Sequence, residues 1–204
     1  MMKIKVCGMK YSDNIKELSL LPIDYMGLIF YDKSPRYIDS LNGSDVDAVP
    51  QTIKLAGVFV DAEIEYIAEK TVRYGLDIIQ LHGNETPGFC KDLNRTMPVI
   101  KAISVADAAD LEKTKQYEGA VDYLLFDTKT SQHGGSGQKF DWNILHEYKG
   151  NTPFFLSGGI SIDDAEKIRG INHPGLYAID LNSKFEIRPG LKDIQLLEKF
   201  IKQL

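Results

Sequence analysis

Lys3 to Met9 reads KIKVCGM, and the residues just after its glycine decide the fold. A short apolar strand that runs into a glycine opens either a doubly wound nucleotide-binding sheet or a parallel barrel. The dinucleotide fingerprint needs G-x-G-x-x-G at this point. Gly8 is instead followed by Met9, Lys10 and Tyr11, which counts against the open sheet and favours the barrel. The same stretch puts a lone thiol, Cys7, where a strand stops and a loop opens. Ligands of parallel α/β folds bind beyond the carboxyl ends of the strands, so Cys7 is a candidate nucleophile or base. An unpaired cysteine is equally read as a small buried hydrophobe.

Outward from that strand the pattern repeats. Ser12 or Asp13 can cap a helix carrying Ile15, Leu18 and Leu21, which Pro22 helps to end. Tyr25 to Phe30 is a continuous apolar run of the kind found in strands buried on both faces. Asn42 to Pro50 supports only a weak helix. Strand and helix then alternate: Leu55 to Val60 and Glu63 to Tyr74, Ile78 to His82 and Thr86 to Arg95, Val99 to Ile103 and Asp107 to Tyr117. The series closes with Tyr123 to Phe126 and Asp141 to Tyr148, Phe154 to Leu156 and Ile162 to Arg169, Leu176 to Leu181 and Leu191 to Ile201. Eight such units with short links predict a compact α/β fold, a single (β/α)8 barrel spanning residues 1–204. No composition shift marks a domain boundary.

The 204 residues suffice for one sizeable core, and a net charge of −5 offers no general attraction for nucleic acid or anionic lipid. MMKIKV enters the strand pattern directly, with no long apolar segment before it, so a cytoplasmic protein is expected. Cys7 and Cys90 are too far apart for a Cys-x-x-Cys site and should be free thiols. His82, His133, His146 and His173 show no ligand spacing, so no metal site is predicted.

The candidate chemistry lies at strand ends. FFLSGGI, Phe154 to Ile160, ends in Gly158 and Gly159 before a helix that Ser161 or Asp163 can start. Glycines let backbone approach an anion, and a helix N-terminus presents unpaired N–H groups. After the seventh strand of a barrel this pattern suggests a phosphate cradle; an ordinary turn needing positive φ would look the same. Asp180, Asn182 and Ser183 follow the eighth strand, where they can bond a sugar or phosphate or merely cap a loop. Asp127 ends the sixth strand, and partial desolvation there would raise its pKa and suit it to general acid work. A salt bridge to Lys129 is the bland alternative. Gly134, Gly135 and Gly137 give the loop from Lys129 to Lys139 the freedom of a lid. Arg36, stiffened by Pro35, can clamp a carboxylate, though a solvated surface arginine is the commoner fate, and His82 ends the fourth strand at the same rim, where a lone histidine is more often structural than catalytic. Lys101, within VIKAI, offers a rival: a Schiff-base lyase or aldolase, or simply an ammonium paired with a carboxylate. A catalytically silent sugar-phosphate-binding barrel is a third possibility.

Taken together, KVCGM, GLIFYDKSPRY, VFV, QLHG, LLFDT, GGSGQKFDW, LSGGI and DLNSKFE resemble, in order and over almost the whole chain, the phosphoribosylanthranilate isomerases of tryptophan biosynthesis. The resemblance implies an Amadori rearrangement of a phosphorylated small molecule, without a cofactor, by a monomer or homodimer. It puts Cys7 in the place of the general base and Asp127 in that of the general acid, and implies that nearby cations or a helix N-terminus lower the thiol's pKa. It also puts Arg36 on the anthranilate carboxylate, and Gly158, Gly159, Asn182 and Ser183 around the phosphate. Asp180 and His82 fall near the sugar. Two departures are visible: Lys184 stands where the family commonly has glycine, and Ser136 where threonine is usual.

Overall fold

The predicted apolar runs become the staves of a closed barrel of parallel strands in sequence order, with the last hydrogen-bonded to the first. They are β1 (Lys3–Cys7), β2 (Tyr25–Ile29), β3 (Lys54–Phe59), β4 (Ile78–Leu81), β5 (Val99–Val105), β6 (Tyr123–Thr128), β7 (Phe154–Leu156) and β8 (Leu176–Leu181). The computed structural model describes residues 2–39, 41–129 and 139–204. The glycines of the suspected lid lie outside the described residues. An α/β barrel with helices between its strands is therefore the observed fold.

The covering layer holds α1 (Ser12–Leu18), α2 (Ile64–Tyr74), α3 (Pro87–Asn94), α4 (Ala165–Arg169) and α5 (Ile194–Ile201). Two expected helices, Ala108–Tyr117 and Trp142–Glu147, are 3-10 runs. Apolar spacing reports which side is buried and does not separate the two helix types. Caps also differ from expectation. Tyr11, not Ser12 or Asp13, is the residue before α1, and it makes no side-chain cap; Thr86 does cap α3 by accepting from Phe89 N. The weak helix from Asn42 shrinks to one 3-10 turn, Gly43–Asp45. Leu191 does not start the last helix: it belongs to β10 (Leu191–Lys192), paired with β9 (Glu186–Arg188) in a short antiparallel ribbon. The helix begins only after Asp193, whose carboxylate accepts from Leu196 N.

Residues alternate between the barrel interior and the helical shell. Tyr25, Ala56, Ile78, Ile100, Ala102, Leu125, Phe155 and Ala178 pack together inside. Two residues further along the same strands stand Gly27, Gln80, Asp127, Ser157 and Asp180. The interior is thus apolar across its middle and polar at its carboxyl-terminal mouth, where catalysis on this architecture takes place. Val6, Leu124, Phe126 and Phe154 face the other way, into the larger core beneath the helices.

Lys101 lies between Ile100 and Ala102 and therefore faces the shell. Its ammonium meets Glu85 at 3.1 Å, donates to the carbonyls of Leu81, Gly83 and Ala102, and lies over the Tyr117 ring; both charged side chains are 2% exposed. That location removes the Schiff-base reading, because a sugar phosphate in the barrel mouth is on the opposite side of the strand. Glu85 also accepts from Asp61 N and Gly83 N, so it ties the loops after β3 and β4 to β5. Glu85→Ala would strand a buried ammonium and these amides. The expected cost is about 3–5 kcal/mol, measurable as a fall of roughly 10 °C in Tm. A change under about 2 °C would show that this pair does not tie the loops.

Candidate active site

Three residues at the mouth inherit their direction from the layer below: Cys7 follows Lys5, Asp127 follows Leu125, and Asp180 follows Ala178, each by two positions on one strand. Asp180 connects the other two. It is buried, and its charge is felt by the Cys7 thiol while it feels the charge of Asp127.

Asp127 is held from several sides. Thr128 N donates to its Oδ1 at 2.9 Å, and His82 Nε2 stands 3.3 Å from Oδ2; the two side chains are 13% and 15% exposed. Gln80, buried in β4, sits with its amide nitrogen 3.0 Å from His82 Nδ1. With that amide as donor, Nδ1 accepts and the ring proton falls on Nε2, facing Asp127. The alternative reading of Asp127, a salt bridge to Lys129, is not found among the described residues, and Lys129 reaches Asp110 instead, at 3.5 Å. Gln80, which the sequence reading did not single out, is the side chain that orients the His82 ring. Its only signal was a polar residue two positions before His82 in an otherwise apolar strand.

Cys7 is buried against Gly27 on β2, where a Cβ would lie 2.6 Å from the sulfur. The missing side chain at Gly27 is what makes room for the thiol. Burial pushes the thiol pKa up and Asp180 adds to this, against the pull of Lys5, through its charge and a hydrogen bond, and of Lys192. The net direction is upward, so the expected lowering does not occur. Cations are present, but desolvation outweighs them. Lys5 is fully buried and bonds Asp180 Oδ2 at 2.9 Å. Burial works against its charge, yet Asp180 and the thiol hold its pKa above the usual lysine value. Asp180 Oδ1 is buried with no hydrogen-bond partner among the described residues, and burial raises the Asp180 pKa despite Lys5.

The glycine pair has positive φ at both positions, +92° for Gly158 and +65° for Gly159. A Cβ on Gly158 would collide with Thr128 Oγ1 and N and lie 3.2 Å from Asp127 Oδ1, so this glycine also clears the ground beside Asp127. The helix after it supplies less than expected. Ile162–Asp164 is one 3-10 turn followed by the short α4, and Asp164 already takes Ser161 N and Oγ in a capping box. Ser183 opens a 3-10 turn, Ser183–Phe185, next to Asn182. Lys184 lies within that turn, is exposed and has no positive φ. A side chain at that position therefore needs no left-handed backbone.

Arg36 is buried, and its guanidinium forks onto Glu186: Nε to Oε1 at 2.9 Å and Nη2 to Oε2 at 2.7 Å. A hollow of about 550 Å³ beside the same loop is lined by Phe30, Tyr31, Tyr37, Val60 and Tyr66 among others, and contains neither Cys7 nor Asp127. Among the described residues no group of three His, Cys, Asp or Glu side chains could hold a metal, and no helix is long and apolar enough to cross a membrane.

A barrel whose mouth gathers a thiol, a carboxyl group backed by imidazole and a buried lysine–aspartate pair is built to move protons, which places the chain among the acid–base barrel enzymes. The sequence narrows this class: residues 4–203 match the model of the N-(5'-phosphoribosyl)anthranilate (PRA) isomerase family. The chain belongs to that family, and is an isomerase of tryptophan biosynthesis. It is 50% identical to the N-(5'-phosphoribosyl)anthranilate isomerase of Parabacteroides distasonis over 206 aligned positions, covering 100% of this chain and 93% of the relative. Among solved structures, monomers generated from the dimeric phosphoribosylanthranilate isomerase of Thermotoga maritima superpose with a TM-score of 0.84 at 29% identity, over 100% of this chain and 98% of that one. A phosphoribosylanthranilate isomerase in complex with reduced 1-(o-carboxyphenylamino)-1-deoxyribulose 5-phosphate gives 0.84 at 28% identity, with the same coverage.

Proposed function

We propose that the barrel mouth converts N-(5'-phosphoribosyl)anthranilate to 1-(2-carboxyphenylamino)-1-deoxyribulose 5-phosphate, with Asp127 as general acid and Cys7 as general base. The observation that carries this assignment is that Cys7 and Asp127 both stand at the carboxyl-terminal mouth of one closed barrel, at the ends of β1 and β6. The protonated Asp127 gives its proton to the ribose ring oxygen as the aniline nitrogen pushes in its lone pair, and the C1–O4 bond breaks. The iminium so formed acidifies the C2 hydrogen, which the Cys7 thiolate removes. The resulting enolamine gains a proton at C1 and loses one from the C2 hydroxyl, giving the ketone. Two protons enter, at the ring oxygen and at C1, and two leave, from C2 and from its hydroxyl, so the rearrangement balances without a redox or metal cofactor.

The remaining residues fit around that path. Arg36 holds the anthranilate carboxylate, and the backbone at Gly158 and Gly159 with Asn182 and Ser183 receives the phosphate. The unpartnered Asp180 Oδ1 is suited to accept a sugar hydroxyl, and His82 steadies Asp127 at the substrate's edge. Residues 1–204 act as one catalytic domain, alone or as a homodimer, in the cytoplasm. The solved relative bound to a reduced form of this product supports the substrate assignment. Freshly made phosphoribosylanthranilate, followed by its fluorescence, should decay many times faster with the protein than without it. Decay at the uncatalysed rate with correctly folded protein would overturn the proposal.

A further inference from the structure

We infer that Glu186 is the positioning residue for Arg36: it fixes one edge of the guanidinium so that the other edge is presented to a substrate carboxylate. The inference rests on the reading of Arg36 as the carboxylate clamp and adds what holds it in place. Glu186 takes Nε and Nη2, with Nε within 2.9 and 3.1 Å of the two carboxylate oxygens and Nη2 at 2.7 Å. A guanidinium has five N–H donors. One Nη1 hydrogen and the second Nη2 hydrogen form a complete edge that no hydrogen bond uses among the described residues. The Arg36 side chain is only 10% exposed, so these donors have little water to turn to, and a planar carboxylate matches them.

Glu186 is itself fixed. Its Oε1 also accepts from Lys192 Nζ at 2.7 Å and Gly190 N at 3.0 Å, and its side chain is 4% exposed. Lys192 Nζ donates to Asn182 Oδ1 at 2.7 Å, while its backbone is clasped by Asn14 of α1. The β9–β10 ribbon thus bolts Glu186 down between two cations. One carboxylate against an arginine and a lysine leaves a single positive charge, which a carboxylate on the substrate would neutralise. The stem of Arg36 crosses Gly8, where an added Cβ would lie 2.7 Å from Arg36 Cδ. A ligand gripped by the free edge is therefore held beside the residue that follows Cys7.

The test compares N-(5'-phosphoribosyl)anthranilate with N-(5'-phosphoribosyl)aniline, which lacks only the carboxylate. Glu186→Gln should raise KM for the first about tenfold with kcat nearly unchanged, and leave both constants for the second within about twofold, because uniform binding alone is lost. Glu186→Asp keeps the buried charge, which protects the fold, but draws the carboxylate back by one methylene; an increase of about threefold is expected on the first substrate only. Equal losses on both substrates, or failure of both variants to fold, would assign Glu186 to structure, and no loss on either would leave it without a role; each overturns the inference. Arg36→Met separates the two readings. If it leaves the preference for the carboxylated substrate intact, the reading of Arg36 itself fails; if it abolishes that preference while Glu186→Gln does not, only the positioning role fails.

Discussion

Asp127→Asn is expected to lower kcat by about 10³-fold, within the range that a positioned general acid contributes, with no measurable change in Tm. The substitution is isosteric. Its carbonyl oxygen can still accept from Thr128 N, which bonds Asp127 Oδ1 at 2.9 Å, and Gly158 still leaves space on the same side. What disappears is a proton acidic enough to reach the ribose oxygen as the ring opens. His82, 3.3 Å from Asp127 Oδ2, offers a check on this account. His82→Ala removes the neighbour and leaves the acid, so its effect should be a small fraction of that of Asp127→Asn. Steady-state turnover of fluorescent substrate by the two variants, with circular dichroism to confirm folding, measures both. Turnover near the unmodified rate in Asp127→Asn would take this carboxyl out of the chemistry.

The staves of the barrel were legible because both of their faces are covered, and such strands announce themselves as unbroken apolar runs. LLF before Asp127 and FFL before Ser157 are of this kind. Strand ends could be placed to within a residue or two for the same reason. The shell was legible only as amphipathic spacing, which is why 3-10 runs such as Ala108–Tyr117 were expected simply as helix. The ribbon after β8 was misread for a different cause. Leu191 has the spacing of the helix that comes next, but its partner is Arg188 across a turn containing Pro189 and Gly190, and pairing between strands leaves no periodic trace within so short a stretch.

At the site, residue type and strand end name Cys7, Asp127 and Arg36 only as candidates, each with a plain structural alternative. Their surroundings were not readable. Glu186 lies 150 positions from Arg36 in the chain, so nothing local links the two, and Lys5 looks like any surface lysine of an edge strand until barrel closure sets β8 and Asp180 beside it. The thiol shows the limit most clearly. A count of nearby charges favours ionisation, whereas its actual environment opposes it, because burial depends on the whole closed barrel and not on neighbours in sequence.

That upward shift determines how Cys7 should be tested. Cys7→Ala is expected to reduce kcat/KM by about 10²- to 10⁴-fold, since alanine fits the space beside Gly27 but cannot take the C2 proton. An ordinary thiol is only a few per cent ionised at pH 7, and the buried one is less so. In the unmodified enzyme kcat/KM, which reports the free enzyme, should therefore climb as pH rises through and beyond the ordinary thiol range near 8.5. Burial lowers Lys192 to about 8 despite Glu186, and its charge pulls the thiol down. That pull fades as Lys192 gives up its proton, so the limb should rise less than tenfold per pH unit. Lys5→Met, which removes the ammonium bonded to Asp180 and the thiol, should move the limb to higher pH. Stability runs the other way: a thiol that holds its proton more tightly when folded contributes stability below the unfolded thiol pKa, and loses it as pH rises through the folded value. Activity and stability should thus trade against each other on the alkaline side. A limb that persists unchanged in Cys7→Ala, or a rate that is already flat at neutral pH in the unmodified enzyme, would show that the base is another group.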